Sequence, residues 1–571
     1  MKKKLVTLLT VALSGMLLLS GCKKAPETTE DSGTTTPPAA SDAVEGYIPA
    51  SDPSKNPIKE RKDTLVIGID APEEVFNPLY AESAYDAYVT ESIFKGLVSV
   101  DGKGLPVEAL AENYKTSDDG LTYTFKLRDN AKFSDGSKVT ADDVAFTITV
   151  ACDPNYDGVH DFVNATGVKG AKAYKDSTAT FVEGIKVIDE QTIEFTLEKV
   201  NSDAIYDFTV EILSKAYYGK DYTQGNLDYI KSFHKTPMGA GAYKLVETKA
   251  GQEVILVANE NYYLGEPKIK NLIYKVTSEE TRIQMLQTGE IDMDMVTVSK
   301  DNVDMIKGLE FLDLHIFPTN GYGYIGINFK NDKFKDVKVR QALAYGLNRA
   351  EVVNAVYEGG FADVINVPQS KESWAYYPGD NKYDFDLEKA KSLLEEAGWK
   401  VGADGIREKD GVKLTIKFTA STPNPVNEAL IPVAQANYKE IGVGFEAEQM
   451  DFNAVREKVT NGSVEMFFMA WGLTPSPDAT NIFGTEGSQN KTGYANARVD
   501  ELYKKALEET DTEKRKELYK EVYQILNEDL PYIYLYQRRD MWVVNSRVKG
   551  FENEITPYKK FTRSLHKLTL E

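Results

Sequence analysis

The residue types that most often hold metal ions are few and scattered in this chain. Histidine occurs at positions 160, 234, 315 and 566, and no two of these lie at the spacing of metal ligands. The two cysteines, Cys22 and Cys152, are far apart and form no Cys-x-x-Cys pair. The sequence therefore predicts no metal site and no bound cofactor.

Signatures of nucleophilic or metal-dependent hydrolysis are also missing from the sequence. There is no Gly-x-Ser-x-Gly and no His-Glu-x-x-His. With 88 acidic residues, pairs of carboxylates occur by chance, so no pair points to acid–base catalysis. No catalytic residue is assigned, and the chain is predicted not to be an enzyme.

The segment Gly321 to Gly326, GYGYIG, matches the spacing of a dinucleotide-binding loop. Such a loop must follow a strand and open a helix. Here it continues into YIGINF, which alternates like a strand, so we interpret the segment as a strand and reject the nucleotide site.

The formal net charge of -21 separates this chain from nucleic-acid-binding proteins, which need clustered Lys and Arg to neutralise phosphates. No nucleic-acid partner is predicted. The 33 tyrosines are core and surface residues in the simplest interpretation, but some could line a ligand cleft, because tyrosine offers both an apolar ring and a hydroxyl.

The N-terminus carries an export signal. Three lysines at positions 2–4 precede an apolar run of about 15 residues, too short for a membrane span. The following LSGC, ending at Cys22, resembles the lipobox of bacterial lipoproteins, which implies cleavage after residue 21 and lipidation of Cys22. The alternative is an ordinary signal peptide with an incidental cysteine. Residues 22–62 are rich in Thr, Pro, Ser and Glu and predict a flexible tether.

The body mixes strands and helices without a fixed repeat, which indicates an α/β or α+β class. TLVIGID at 64–70 predicts a buried strand, and 185–197 predicts a hairpin. Thr140 with Asp143 predicts a capping box. Asp386 and Gly398 bound a predicted amphipathic helix.

One strand ends in an unusual loop, MAWGLTPSPDAT at 469–480. The apolar run from 464 to Trp471 gives way to glycine, two prolines and one aspartate. Strands that end this way often hold a ligand. Trp471 is the strongest single candidate for a contact, with packing in the core as the alternative.

Five stretches, taken together and in order, resemble one family. They are YTFKLRDNAKFSDGSKVTADDVAFT, PMGAGAYKL, GINFKNDKFKDVKVRQALAYGLNR, DLEKAKSLLEEAGW and KRKELYKEVYQILNEDLPYIYLY. The chain from about 64 to 531 is similar to the substrate-binding proteins of bacterial ABC importers, in the oligopeptide, dipeptide and nickel-binding class (solute-binding protein family 5).

That resemblance implies an α/β, two-lobed, periplasmic-binding-protein-like fold (type II, venus-flytrap) with an extra subdomain on the first lobe. The implied division is a signal peptide at 1–21, the lipidated Cys22 and tether at 22–62, a first lobe, its subdomain and a second lobe. The first lobe takes 63–100, 233–318 and 535–571, the subdomain 101–232, and the second lobe 319–534.

The resemblance also implies where ligand binds. In peptide-binding relatives an aspartate three residues after the tryptophan pairs with the peptide's ammonium group; here Thr474 stands there and cannot neutralise a charge. Asp478 either takes over that role or caps the helix or turn that follows. The predicted ligand-binding residues are Trp471, Gly472, Thr474, Asp478, Tyr322, Asn320, Glu73 and Glu74, with exposed surface charge as the alternative for the two glutamates.

The predicted function is an extracytoplasmic receptor that captures oligopeptides between two lobes and delivers them to an ABC importer. The predicted partners are a peptide or other small solute, the permease subunits and, through Cys22, the membrane; the protein is predicted to be a monomer on the extracytoplasmic face of the cell membrane. A nickel complex, an opine or an oligosaccharide is the alternative ligand. A sensing or adhesion lipoprotein without transport is the alternative function.

Overall fold

A computed structural model describes residues 46–552 and 555–571. Cys22, the predicted lipidation site, lies outside these residues. The strands are β1 (Gly46–Ile48), β2 (Thr64–Ile69), β3 (Val98–Val100), β4 (Pro106–Glu108), β5 (Ala111–Thr116), β6 (Thr122–Leu127), β7 (Ile185–Asp189), β8 (Thr192–Thr196), β9 (Tyr243–Lys249), β10 (Glu253–Ala258), β11 (Asn271–Val276), β12 (Met293–Val296), β13 (Leu312–Pro318), β14 (Gly321–Ile327), β15 (Ala362–Asp363), β16 (Lys400–Val401), β17 (Arg407–Lys409), β18 (Val412–Lys413), β19 (Thr415–Ser421), β20 (Gly444–Met450), β21 (Met466–Gly472), β22 (Tyr532–Asn545), β23 (Val548–Lys549) and β24 (Thr569–Leu570).

Helices alternate with these strands through most of the chain. They are α1 (Ala84–Ile93), α2 (Ala141–Ala151), α3 (Phe162–Thr166), α4 (Ala171–Lys175), α5 (Ala204–Asp207), α6 (Lys215–Tyr218), α7 (Asp228–Lys231), α8 (Arg282–Thr288), α9 (Lys300–Leu309), α10 (Val337–Tyr345), α11 (Arg349–Val356), α12 (Leu387–Glu396), α13 (Pro425–Glu440), α14 (Phe452–Asn461), α15 (Thr480–Phe483), α16 (Ala497–Glu508) and α17 (Thr512–Asp529). Short 3-10 turns lie at Pro53–Lys55, Asp332–Phe334, Phe561–Arg563 and Leu565–Lys567.

Local sequence signals are confirmed at several of these elements. Thr140 and Asp143 form the predicted capping box of α2, each side chain bonding the other's backbone N–H. Asp386 caps α12 by accepting from the Lys389 N–H. Strands β7 and β8 form the predicted antiparallel hairpin. GYGYIG is a strand, β14, as interpreted from its alternation.

One large sheet carries the architecture, with the path β20-β19-β21-β14-β22-β12-β2-β11-β10-β9. The long strand β22 is shared by its two halves. Its first residues pair with β14, with Tyr536 opposite Gly323. Its later residues pair with β12 and β13, with Met541 opposite Val296 in β12. Strands β5-β6-β8-β7 form a separate antiparallel sheet.

The apolar residues separate into layers on either side of this sheet. In β22, Trp542 and Val544 join a core that extends over β2, α1 and the separate four-stranded sheet. Met541 and Val543 point to the opposite face and a smaller cluster. This alternation is the period of two that a strand imposes. A further core, around β14, α10 and α17, fills the other half of the molecule.

The start of the described chain departs from the composition-based expectation. The polar composition predicts that residues 46–62 belong to a flexible tether, yet β1 pairs with β13, with Tyr47 opposite His315. Asn56 and Asn545 exchange side-chain hydrogen bonds of 2.8 and 3.1 Å. Backbone pairing and these amide bonds compensate for the ordering of a polar segment that has little apolar surface to bury.

Candidate functional site

The carboxyl ends of two groups of strands face each other across the junction between the halves. In the first half, β11 and β12 both run parallel to β2, and β12 runs antiparallel to β22. The carboxyl ends of these three strands therefore point toward Met541 of β22 and, further along, toward Tyr536. In the second half, β19 and β20 run parallel to β21, which ends at Gly472 opposite Gly321. Because ligands in open α/β sheets bind beyond the carboxyl ends of strands, this junction is the candidate cleft.

Two chain segments cross the junction side by side. Thr319 N–H donates to the Arg538 carbonyl at 2.9 Å, and the Gln537 side chain donates to the Thr319 carbonyl at 2.7 Å. Such short linking segments allow the two halves to rotate toward each other when a ligand lies between them.

The wall of the cleft in the second half is the end of β21. Ala470, Gly472 and Thr474 are exposed, while Trp471 is partly buried between them. The Trp471 ring lies parallel to that of Tyr324, with centroids 6.2 Å apart and planes at 5°. Its Nε1 donates to the Tyr532 hydroxyl at 3.4 Å. The indole is therefore held in place by the core, with part of its surface left open.

The structure brings Asn320 to this wall. Its side-chain Nδ2 donates to the carbonyls of Leu473 at 2.7 Å and Thr474 at 3.2 Å, and its backbone carbonyl accepts from the Leu473 N–H at 2.9 Å. Asn320 therefore fixes the turn after β21. Tyr322, directly opposite Trp471 in β14, is only 3% exposed and packs against Tyr324 and Tyr534. Tyr322 therefore packs in the core behind the wall of the cleft.

Asp478 points away from the exposed end of β21. Ala479 occupies the N-cap position of α15 and Asp478 precedes it, with its carboxylate accepting from the Thr480 hydroxyl at 2.6 Å. Burial, and then the neighbouring Asp203 carboxylate, raise the pKa of Asp478 to about 7. Thr474 stays exposed, with its hydroxyl donating to the Ser476 carbonyl at 3.2 Å.

The two glutamates lie in the loop after β2, on the opposite wall. Asp86, completely buried in α1, accepts from the N–H groups of Glu73 and Val75, both at 2.9 Å, and so holds the loop. Glu74 has a positive φ of 64° and its carboxylate pairs with Lys235 at 2.6 Å. Glu73 presents its side chain to solvent. Of the two, Glu73 has the carboxylate that is open to a ligand.

Sequence reasoning missed a polar group at the carboxyl ends of the first-half strands. Asp70, directly after β2, accepts from the Tyr85 hydroxyl at 2.6 Å and from Arg282 Nη2 at 2.7 Å. Thr277, after β11, donates to Asp294 in β12 at 2.8 Å. The hydrogen bond to Asp70, with burial, raises the pKa of Tyr85 to about 12.

Burial also affects Asp294, whose pKa it raises to about 6. In the sequence, the local signal for the polar group around Asp70 is Asp70 itself, the aspartate that ends TLVIGID. Its partner Arg282 is 212 positions away in the chain, so no sequence spacing indicated the pair.

The described part of the chain contains no group of three or more His, Cys, Asp or Glu side chains arranged to hold a metal ion. In the same residues no helix is both long and apolar enough to cross a bilayer. The cleft walls instead offer an aromatic surface, exposed strand backbone and separate charged groups.

Comparison with known proteins agrees with this geometry. The family model for bacterial extracellular solute-binding proteins, family 5 (middle region), matches residues 106–493, which is more than half of the chain. The chain belongs to this family. Family members are solute-binding receptors, and the two-lobed α/β fold expected from the sequence is confirmed.

Named relatives of this solute-binding protein bind different solutes. It is 31% identical over 510 residues to the oligopeptide-binding protein AppA of Bacillus subtilis, covering 86% of this chain and 88% of AppA. The structure of AppA in complex with a nonapeptide matches with a TM-score of 0.64 over 90% of this chain and 100% of that one, at 29% identity.

Two further relatives broaden the range of solutes. Heme-binding protein A of Haemophilus influenzae is 28% identical over 83% of this chain and 86% of its own length. The structure of NikZ from Campylobacter jejuni in complex with Ni(L-His) matches with a TM-score of 0.67 and 27% identity, over 89% of this chain and 99% of NikZ.

Proposed function

We propose that this protein is an extracytoplasmic receptor that captures oligopeptides between its two lobes and delivers them to an ABC importer. The observation that carries the proposal is the end of β21, where Trp471 and an exposed strand edge lie at the junction between the halves. The likeness to the oligopeptide-binding AppA supports the peptide as ligand. The lobe and subdomain boundaries predicted from the sequence are part of this proposal.

The exposed edge of β21 suits an extended peptide. Strand β14 pairs with the whole of β21, but β19 pairs with it only at Met466 and Phe467. Beyond Phe467 that second edge offers backbone N–H and C=O groups toward the cleft. Extended peptides bind such edges by strand addition, in which main-chain hydrogen bonds supply affinity without selecting a sequence.

The receptor's treatment of the peptide amine differs from the pattern inferred for peptide-binding relatives. Thr474 carries no charge, and Asp478 is turned inward. Glu73 on the opposite wall has the exposed carboxylate that could neutralise an ammonium group. An uncompensated buried ammonium costs several kcal/mol, so a ligand without a free amine is the second candidate. The relatives that bind heme and Ni(L-His) favour that candidate for a metal complex.

The receptor performs no chemistry on its solute in this proposal. It acts as a monomer, anchored to the extracytoplasmic face of the cell membrane through lipid on Cys22. Closure of the lobes around the solute is a shift in population toward a state whose contacts with the solute exist only when the lobes meet.

The solute is identified by mass spectrometry of the chain from residue 23 onward, which contains every described residue. Native spectra give the mass of the complex, and denaturing spectra give the mass of the released molecule. We expect a series of peptides of similar length. A single non-peptide mass would contradict the oligopeptide proposal and support the metal-complex or other non-peptide ligand.

Replacing Trp471 by alanine is expected to weaken solute binding about 30-fold or more, because a partly open aromatic at the centre of an interface typically contributes at least 2 kcal/mol. Calorimetric titration with the identified solute measures the loss. Phe385→Ala is the matched control, since Phe385 is 37% exposed and lies just before α12 in the same half, not at the carboxyl end of a cleft strand. Equal affinity of Trp471→Ala and the control would contradict a role for the indole in binding.

A further inference from the structure

A second contact joins the two halves of the molecule, apart from the strands they share. The segment 201–206 of the predicted subdomain lies against α16 and α17 of the predicted second lobe. Ser202 N–H donates to the Leu507 carbonyl at 2.8 Å, and the Ser202 hydroxyl donates to the Glu509 carbonyl at 2.5 Å. Residues about 300 positions apart in the chain thus meet through backbone and short side-chain bonds.

Asp203 is the centre of this contact. Its carboxylate accepts one hydrogen bond from Arg515 Nη2 and another from the Ser476 hydroxyl. Arg515 is 6% exposed, and its Nε donates to the Ala506 carbonyl at 3.0 Å. The guanidinium group is therefore fixed by α16 and presented to a carboxylate that comes from the other half.

Trp374 extends the same contact. The Arg515 guanidinium lies 5.4 Å from the centre of the Trp374 ring, and Trp374 Nε1 donates to the Tyr206 hydroxyl at 3.1 Å. The Trp374 backbone N–H donates to the Lys103 carbonyl at 3.0 Å. The second lobe thereby bonds two separate segments of the subdomain.

Most of these interactions are polar or ionic, which is typical of interfaces between domains that separate and rejoin. Charged groups in such an interface are hydrated when it opens and pair when it closes. A buried pair also makes a wrong alignment costly, because each charge would lose its partner.

We propose that residues 201–206 form a latch that holds the closed form of the receptor, with Asp203 and Arg515 as positioning residues that increase solute affinity without touching the solute. This inference rests on the proposed function. A receptor that is closed for only a fraction of the time binds with an apparent affinity reduced by that fraction. Contacts that favour closure therefore tighten binding, even where they do not touch the solute.

The first test compares solute affinity in Asp203→Asn and Asp203→Glu. Asparagine keeps the shape but removes the charge that faces Arg515, and we expect about tenfold weaker binding. Glutamate restores the charge and is expected to recover part of the affinity. Asp176→Asn is the control, because Asp176 pairs with Lys172 on the exposed surface of the same subdomain. Unchanged affinity in Asp203→Asn, within about twofold, would overturn the latch.

A milder variant covers the case in which Asp203→Asn does not fold. Ser202→Ala removes the 2.5 Å hydrogen bond to Glu509 and leaves every charge in place. It is expected to weaken binding about threefold, the effect of one neutral hydrogen bond. No change in this variant would then count against the latch.

The second test needs no solute. Spin labels on cysteines introduced at Phe181 in the subdomain and Phe452 in the second lobe, 67% and 53% exposed, report the distance between the two parts. Cys152 is buried, and burial raises the pKa of its thiol to about 12, so it does not take up label. We expect Asp203→Asn to lengthen the mean distance, and an unchanged distribution would overturn the latch. Should no solute bind the natural sequence, the proposed function fails and this distance alone decides the latch.

Titration of Asp478 is expected to make the stability of the closed latch depend on pH, which provides a further readout. The groups that face it are Asp203, Arg515, Tyr503, Tyr519 and Tyr523. Its pKa is raised to about 7 by burial and by Asp203 while the latch is closed, so closing takes up a proton. The closed form gains stability as pH falls from about 7 toward the ordinary carboxyl range, and loses it as pH rises through 7.

The label distance between pH 5 and 8 measures this profile. We expect the closed population to fall as pH rises in the natural sequence, and the dependence to flatten in Asp478→Asn. A merely structural carboxylate would give the same pH profile in both proteins, which would overturn the role given to Asp478.

Discussion

Replacing Asp292 by alanine is expected to lower the free energy of unfolding by about 3–5 kcal/mol. Asp292 is completely buried; its carboxylate accepts from Arg547 Nε at 2.7 Å and from the Val66 N–H at 2.8 Å. Arg61 Nη2 lies 2.8 Å from the same carboxylate. Alanine would leave the Arg547 guanidinium, 4% exposed, as a buried charge without its carboxylate.

Denaturant unfolding of the chain from residue 23 onward measures this loss. Asp304→Ala is the control, since Asp304 is 58% exposed and pairs with Lys300 one helical turn away. Surface pairs of that kind contribute about 0.3–0.5 kcal/mol. A loss below about 1 kcal/mol in Asp292→Ala would contradict the view that this carboxylate joins β2 to the segment that follows β22.

Replacing Cys22 by alanine is expected to move almost all of the protein from the membrane fraction to the released fraction. The proposed anchor consists of acyl chains on Cys22, and several chains bind membranes stably where one does not. Fractionation of producing cells, with detection of acyl incorporation, measures the change.

Cys152→Ala is the matched control for this experiment. Cys152 is the buried C-cap residue of α2 and offers no exposed thiol for acylation. Its replacement should leave the protein in the membrane fraction. If Cys22→Ala also stayed there, the lipid anchor would be wrong and another form of attachment would be required.

Much of the fold was predictable because its signals are local. The capping box at Thr140, the bounded helix after Asp386 and the strand at Gly321 each depend on neighbours within a few residues. The order of five family stretches then predicted the two-lobed architecture, which the comparisons confirm. The tether was the exception, since Gly46 to Ile48 gain their order from pairing with a strand over 260 positions away.

The candidate site was predictable only in part. Trp471, Gly472 and Thr474 were found because one loop contains them, and the structure adds Asn320 to the same wall. Asp478 lies in that loop too, yet its side chain turns toward Asp203. The aspartate type of residue 478 indicated a hydrogen-bond acceptor, but only the folded path of the loop determined the direction in which that side chain points.

The sequence by itself determined the class of this protein: an acidic, mixed α/β chain with the patterns of a solute receptor. The tertiary structure decided which distant residues meet. Asp70 with Arg282, Asp292 with Arg547 and Asp203 with Arg515 are pairs whose members lie more than 200 positions apart. Local propensities act over a few residues, whereas burial of charge depends on the completed packing of strands and helices, so these pairs could not be predicted from spacing.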